Sequence, residues 1–565
     1  MDRVWVKNYE KGVPPTLDYP PIPLHRLLED TTARAPASTA IIFPGALGDT
    51  FRLSYRQLND DANRMANALA GLGVRKGDRV ALLLPNCPQF VISYYAALKL
   101  GAAVVAFNPL YSPREIEHQL NDCGARVIVV LSLFYRNVAE VKSRTPLEHV
   151  IVGYIKEYLP PVSRLLFSLL KEKKEGHRPV VERAPGIHFF QDLLAANRPG
   201  SPGVEVGPED VAMFQYTGGT TGVSKGVVAT HRNVVSNTVQ IRTWASGIKM
   251  ARDNDVVMGV MPLFHAYGMV TVMHYCVLDG LSMILLPRFV TKQVLAAINR
   301  YRPSFFPGVP TMYVAINNFP GVRKYDLKSV KACVSGAAPL PVEVQQRFEE
   351  LTHGRLVEGY GLSEAPVVVT CTPVMGTRKI GSIGVPFPDV DARIMDLEKG
   401  ETEMPVGEIG ELVVKGPQVM KGYWNRPEET SMVLRHGWLY TGDIARMDSD
   451  GFFFIVDRKK EMIIAGGYNI YPREVEEVLY EHEKVKEAVC YGVPDEYRGE
   501  TVKVAVVLKD GQTCSAEEIT EYCKTKLAKY KIPKNIEFRQ DLPKSPVGKV
   551  LRRVLVEEEK KKQGR

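Results

Sequence analysis

Short apolar, β-branched runs recur along the chain, each followed by a Pro/Gly break and then by a stretch with helical period. Residues 79–84 read as a strand and residues 89–100 as an amphipathic helix. The same alternation continues at 125–130, 255–261, 282–286 and 331–335, which predicts a large α/β domain with mostly parallel sheets. From about Asp389 the texture changes to short strands with Gly/Pro/Asp turns, as at 410–414 and 448–454, which suggests a small β subdomain. Beyond Asp457 an α+β pattern begins, with a helix over 472–482, strands near 485–493 and 502–508, and a helix over 516–527. The expected fold class is therefore α/β: a large N-terminal domain of α/β sheets with helices and a small β subdomain, followed by a smaller α+β C-terminal domain. The junction is placed at 458/459, giving domains 1–458 and 459–565. No internal repeat is visible.

One segment, 154–178, departs from this grammar, being apolar along one side and basic at its end. Two readings stand: contact with anionic lipid, or a surface helix packed by its Leu/Phe stripe with a solvated lysine face. A length of 565 residues with 45% hydrophobic and 24% charged positions excludes a disordered chain and implies at least two domains. The 72 basic and 64 acidic residues leave a net charge of +8, too mild for a dedicated nucleic-acid binder. Eight cysteines are scattered without a CxxC pair or metal-ligand spacing and read as reduced thiols. The N-terminus lacks the apolar core of a signal peptide, and no run of about 18 apolar residues is present to span a bilayer. The expected location is the cytoplasm, with peripheral contact at the inner face of the cell membrane.

Residues 216–226 hold four glycines, three threonines, a serine and a lysine. Glycines let backbone N–H groups turn toward an anion, hydroxyls add donors and the lysine adds charge, so the natural guest is a polyphosphate such as ATP. A Walker A loop requires GxxxxGK[ST] leading into a helix. Here two residues separate Gly222 from Lys225, and strand-like Val227-Val228-Ala229 follows, which disfavours an ordinary P-loop NTPase.

Read with the rest of the chain, the loop resembles the phosphate motif of the adenylate-forming (acyl-CoA synthetase/luciferase-like) superfamily, and within it of the bacterial long-chain fatty-acid CoA ligases. Residues 262–269, around His265, look like that family's acyl-site motif, and 358–364 like its adenine and magnesium motif. Residues 437–443 resemble the ribose motif, 457–464 the hinge and 542–549 the catalytic-lysine motif. Ser363 stands where the family usually has threonine, and the hydroxyl is kept.

The resemblance implies ATP-dependent ligation of a long-chain fatty acid to coenzyme A through an acyl-AMP intermediate, with Mg²⁺. It assigns nucleotide contacts to Thr217, Gly218, Gly219, Thr220, Thr221, Gly222, Ser224 and Lys225. Further nucleotide contacts fall on Gly336, Ala337, Ala338, Glu358, Gly359, Tyr360, Gly361 and Ser363, with Glu364 and Thr220 on the metal. Asp443 and Arg458 would meet the ribose, and His265 would orient or gate the acyl carboxyl. Lys549 would bridge the carboxylate and α-phosphate during adenylation and then swing away as a mobile C-terminal domain turns about Lys460. Gly466, Gly467 and Tyr468 would line the pantetheine channel, with Arg498 and Lys531 meeting the CoA phosphates. Expected partners are the fatty acid, an anionic membrane surface and a second copy as a homodimer, with no nucleic acid. Rival readings are an aryl or medium-chain CoA ligase, a fatty acyl-AMP ligase serving a carrier protein, and a non-catalytic nucleotide or acyl-CoA sensor.

Overall fold

The computed structural model describes the chain apart from residues 1–2, 46–47, 218–223, 249, 252–253, 466–467, 496–498, 546–549 and 563–565. It divides into two units, one of Trp5–Asp391 with Lys415–Leu439 and one of Met1–Val4, Ala392–Val414 and Tyr440–Arg565.

In the larger unit an eight-stranded sheet runs Gly422–Tyr423, Lys225–Thr230, Val211–Thr217, Ala103–Ala106, Arg79–Leu83, Val127–Leu131, His149–Gly153, Ile187–Phe189. The strands from Val211–Thr217 onward are parallel, and the first two add an antiparallel edge. A nine-stranded sheet is parallel from Arg355–Gly361 through Ala332–Ser335, Phe305–Gly308, Val256–Gly259 and Ser282–Leu285 to Thr39–Pro44, with antiparallel strands at both edges. Parallel strands carry crossover helices on their faces, so they are buried on both sides and read as unbroken apolar runs. All five residues of Val127–Leu131 are buried accordingly.

The helix expected over 89–100 spans Pro88–Lys99, yet it is not amphipathic: every one of its residues is buried. Several of its polar groups find partners inside the protein instead. Gln89 donates to the Tyr154 carbonyl at 3.0 Å, Lys99 pairs with Glu29 at 2.6 Å, and the Tyr95 hydroxyl meets His274 Nδ1 at 3.0 Å. A satisfied polar group is tolerated in a core, and the polar positions therefore did not mark an exposed face.

In the smaller unit Val485–Asp495 and Gly499–Leu508 pair antiparallel, and Asn535–Phe538 runs parallel to the latter. Ile463–Ala465 and Tyr468–Ile470 complete this sheet as an antiparallel pair. Helices Pro472–Tyr480 and Ala516–Lys524 contribute Val475, Leu479 and Ile519 to its core. A second set of strands includes Gly410–Lys415, Trp438–Met447 and Phe453–Arg458, the last two joined through the Asp448–Gly451 turn.

Candidate active site

The motif residues of the larger unit gather at the carboxyl ends of its parallel strands, where an open α/β sheet places ligands. His265 follows Val256–Gly259, Gly336 follows Ala332–Ser335, and Glu364 follows Arg355–Gly361. The loop that carries His265 is fixed by Asn86, which donates to the carbonyls of Gly259 and Met261 at 3.1 and 2.8 Å and accepts from Leu263 N–H at 2.7 Å. Gln215 adds a bond to the Phe264 carbonyl at 3.3 Å. Half-buried His265 caps the turn Ala266–Gly268: its Nδ1 accepts from Tyr267 N–H at 3.2 Å, which makes Nδ1 an acceptor. Tyr267 in turn donates to the Val334 carbonyl at 2.7 Å, and its ring lies against Gly336.

Gly336 donates to the Gly308 carbonyl at 3.2 Å, and Ala337 adopts φ +67°, so this turn is held in a conformation that an L-residue seldom takes. Glu358 accepts from Leu340 N–H at 2.7 Å, binding the 336–340 turn to the strand that carries Gly359 and Tyr360. At Gly361 a Cβ would lie 1.6 Å from the Val367 carbonyl oxygen, so only glycine lets the two segments approach. Ser363 and Glu364 follow, both half-buried. The Glu364 carboxylate accepts the Tyr423 hydroxyl at 2.8 Å, and its carbonyl accepts Met420 N–H at 2.8 Å.

The strands Val211–Thr217 and Lys225–Thr230 are paired up to Thr217 and Lys225, and Ser224 donates to the Thr217 carbonyl at 2.5 Å. Thus both ends of the 217–225 loop are fixed, while Gly218, Gly219, Thr220, Thr221 and Gly222 lie outside the described residues. Lys225 forms an ion pair with Glu429 and stands 5.3 Å from the centre of the Tyr423 ring. Burial and the neighbouring Glu364 carboxylate push the Tyr423 phenol well above its ordinary pKa, so it remains a hydrogen-bond donor at physiological pH. Lys225, Tyr423, Glu429 and Glu364 therefore form one polar group at the start of the Lys225–Thr230 strand.

Asn86, Tyr423 and Glu429 were not among the residues singled out from the sequence. The signal available for the last two was Lys421–Thr430, a Gly-Tyr-Trp followed by a Pro-initiated helical turn whose partners lie far away in the chain.

In the smaller unit Asp443 and Arg458 stand opposite each other on paired strands, with Arg458 Nε 3.1 Å from the Asp443 carboxylate. Asp443 is buried, its N–H donates to the Thr441 hydroxyl at 3.1 Å, and Gly442 N–H donates to Glu411 at 3.1 Å. The adjacent Asp457 has its carboxyl pushed up to about 6, because burial outweighs the attraction of Arg552 and the N–H groups of Arg473 and Arg458. Lys460 is exposed in the turn after this strand. Asp457 Oδ2 accepts Arg473 N–H at 2.8 Å, and Arg473 donates to the Ile455 carbonyl at 2.7 Å, so hydrogen bonds join chain on either side of Lys460.

Lys531 pairs with Glu474 at 2.5 Å. Gly466, Gly467, Arg498 and Lys549 lie outside the described residues, and Tyr468 is placed only through its backbone pairing with Ala465. Lys544 and Val550, which flank Lys549, form an antiparallel bridge, and Lys544 pairs with Glu487 at 2.8 Å.

Comparison with known proteins adds an independent line. Residues 28–424 match the AMP-binding enzyme family and residues 474–549 the AMP-binding enzyme C-terminal domain. The chain is 47% identical over 559 residues to a long-chain-fatty-acid–CoA ligase of Bacillus subtilis, covering 99% of this chain and 98% of that protein. It is 37% identical to a feruloyl-CoA synthase of Amycolatopsis over 92% of this chain and 95% of that one. Among solved structures, an anthranilate CoA ligase bound to anthranoyl-AMP superposes with a TM-score of 0.84 at 28% identity, covering 97% of this chain and 99% of its own. A fatty acyl CoA synthetase of Mycobacterium tuberculosis does so with a TM-score of 0.72 at 30% identity, covering 95% and 98%. With its strand-end motifs assembled and both segments matched in order, the chain belongs to the AMP-binding enzyme family.

Proposed function

We propose that the protein joins a long-chain fatty acid to coenzyme A at the expense of ATP, through an acyl-AMP intermediate. The observation that carries this reading is that His265, the 336–338 turn and Glu364 all follow the carboxyl ends of strands of one sheet, with Glu364 joined through Tyr423 to Lys225, in a chain 47% identical along its length to a long-chain-fatty-acid–CoA ligase.

A carboxylate is a poor electrophile. In the first step its oxygen attacks the α-phosphorus of ATP, the bond to the bridging oxygen breaks, and pyrophosphate leaves. Catalysis there is positioning and neutralisation of charge. Lys225 and the N–H and hydroxyl groups of the phosphate loop meet the β- and γ-phosphates, and Asp443 accepts from the ribose hydroxyls with Arg458 beside it. Lys549 meets the carboxylate and α-phosphate. In the second step the thiolate of CoA attacks the acyl carbon and AMP leaves. Lysine and thiol cannot occupy the same position at once, so the segment beyond Lys460 turns between steps, with 459–565 as the moving domain. Lys531 and Arg498 then serve the CoA phosphates.

The residues present fit Mg²⁺. Glu364 offers a half-buried carboxylate, one oxygen of which is oriented by Tyr423, and Mg²⁺ prefers one or two carboxylates together with phosphate oxygens. When bound, it would neutralise phosphate charge, with Glu364 and Thr220 as its protein ligands.

The test is acyl-CoA formation across fatty acids of increasing length and against aryl acids, with pyrophosphate release followed separately. Release that requires both ATP and a long-chain acid, followed by thioester formation with CoA, is the expected result. Faster turnover of aryl acids, or acyl-AMP that CoA does not discharge, would replace this reading with an aryl-CoA ligase or an acyl-AMP ligase. Absence of pyrophosphate release with any acid would remove the enzymatic reading.

A further inference from the structure

Within the 154–178 segment the chain forms the helix Pro161–Leu170, with proline at its first turn, where the missing N–H is no loss. Its inner side is locked. Buried Ser163 bonds Asp49 through its hydroxyl and through its N–H, the latter at 3.1 Å. The chain beyond the helix is pinned by buried Glu172, which pairs with Lys156 at 2.5 Å, and by the Phe167 ring packed edge-on against His177.

The outer side is apolar and open. Val162, Leu165, Leu169 and Leu170 are 57%, 60%, 72% and 68% exposed. Positions 162, 165 and 169 repeat at intervals of three and four, so they lie along one side of the helix. Single exposed leucines are ordinary, but four large apolar side chains standing out from one ten-residue helix form a patch that water disfavours. The packed reading of this segment thus holds for the inner side only.

Directly after the helix stand the exposed cations Lys171, Lys173, Lys174 and Arg178. Glu175 approaches Lys171 at 3.9 Å, whereas Lys173 and Lys174 have no ion-pair partner among the described residues. An apolar stripe bordered by uncompensated positive charge complements a surface that is apolar beneath and anionic above. A bilayer containing anionic phospholipid has that profile, whereas a second copy of this patch would oppose cation to cation.

We propose that the helix Pro161–Leu170 and the basic turn after it form a docking surface for an anionic lipid bilayer, with Val162, Leu165, Leu169 and Leu170 in the acyl region and Lys171, Lys173 and Lys174 at the headgroups. On the fatty-acid reading above, on which its purpose rests, docking brings the enzyme to the phase in which a long-chain acid is concentrated. Because the inner side is already fixed, docking orders little new chain, which favours binding by so short a helix.

The full-length protein is sedimented with vesicles of phosphatidylglycerol and phosphatidylcholine, and with vesicles of phosphatidylcholine alone, at several salt concentrations. Two triple variants are compared: Leu165→Ser/Leu169→Ser/Leu170→Ser and Lys171→Glu/Lys173→Glu/Lys174→Glu. The expected result is partition onto the anionic vesicles that weakens with salt, falling roughly a hundredfold in the charge-reversed variant at about fivefold per lysine, and about tenfold or more in the serine variant. Both variants should activate a water-soluble medium-chain acid in vesicle-free buffer at the unaltered rate, which establishes that they are folded. Failure of the unaltered protein to bind anionic vesicles, or unchanged binding by both variants, would overturn the proposal. So would a dimer in solution that the serine variant converts to monomer. Vesicle binding as expected with no acid activated would leave the docking surface standing and remove the fatty-acid reading instead.

Discussion

Tyr423 donates to Glu364 from a strand of only two residues, Gly422–Tyr423, paired to the strand that begins with Lys225. One side chain therefore fixes the Glu364 carboxylate, the proposed metal ligand, relative to the strand that begins with Lys225. Tyr423→Phe removes the hydroxyl and keeps the ring against Lys225. A hydrogen bond to a charged group contributes about 2 kcal/mol, so the apparent affinity for Mg·ATP should fall by roughly tenfold or somewhat more, with little change in the KM for the fatty acid. Initial rates of pyrophosphate release at varied Mg·ATP and varied acid would separate the two. An equal rise in both KM values would mean that the substitution disturbs the site generally. Glu429 has a different part: it pairs with Lys225, and on the proposed reading the phosphates of ATP would compete with it for that lysine.

At the scale of elements, the turn Ile155–Tyr158 carries a half-buried carboxyl, Glu157, whose environment costs stability. Burial pushes Glu157 up to about 7, with Gln89 donating to it at 3.2 Å. Its folded pKa lies above the unfolded value, so the folded state binds the extra proton between about 4.5 and 7 and stability falls as pH rises through that window. By pH 8 the full penalty, about 3 kcal/mol, is present. Glu157→Gln should therefore raise Tm relative to the unaltered protein by more at pH 8 than at pH 5. Calorimetry at the two pH values checks this, and a constant difference would show that the carboxyl is ionised throughout at no cost.

The same scale explains what the sequence made legible. Strands such as Val127–Leu131 and Ser282–Leu285 were readable because a strand buried on both faces leaves a nearly unbroken apolar run. Pro88–Lys99 was legible as a helix but not as a buried one, since Gln89 and Lys99 look like surface positions until their partners at Tyr154 and Glu29 are seen. The motifs around His265, Glu364 and Asp443 were legible as local patterns. Tyr423 and Asn86 were not, because each acts through contacts with segments remote in the chain, and hydrogen bonds of that kind leave no periodicity to read.

At the scale of the whole molecule the proposed chemistry divides between nucleotide activation and thioester formation, and on that proposal Lys549 belongs to the first alone. Lys549→Ala should lower acyl-AMP formation by about two to four orders of magnitude while largely sparing the reaction of supplied acyl-AMP with CoA. Single-turnover measurements of each half-reaction decide the matter, and an equal loss in both would place Lys549 elsewhere in the cycle.

The strand Gly422–Tyr423 closes one edge of the eight-stranded sheet, yet the chain reaches it only after leaving the larger unit at Ala392 and returning at Lys415. During synthesis the Lys225–Thr230 edge accordingly emerges from the ribosome long before its cover does. Until residue 423 is available, the nascent chain presents unpaired backbone N–H and C=O groups along that edge, open to pairing with another chain. A fragment ending before Lys415 would retain that open edge permanently and should aggregate, although it contains His265, Glu364 and the whole phosphate loop.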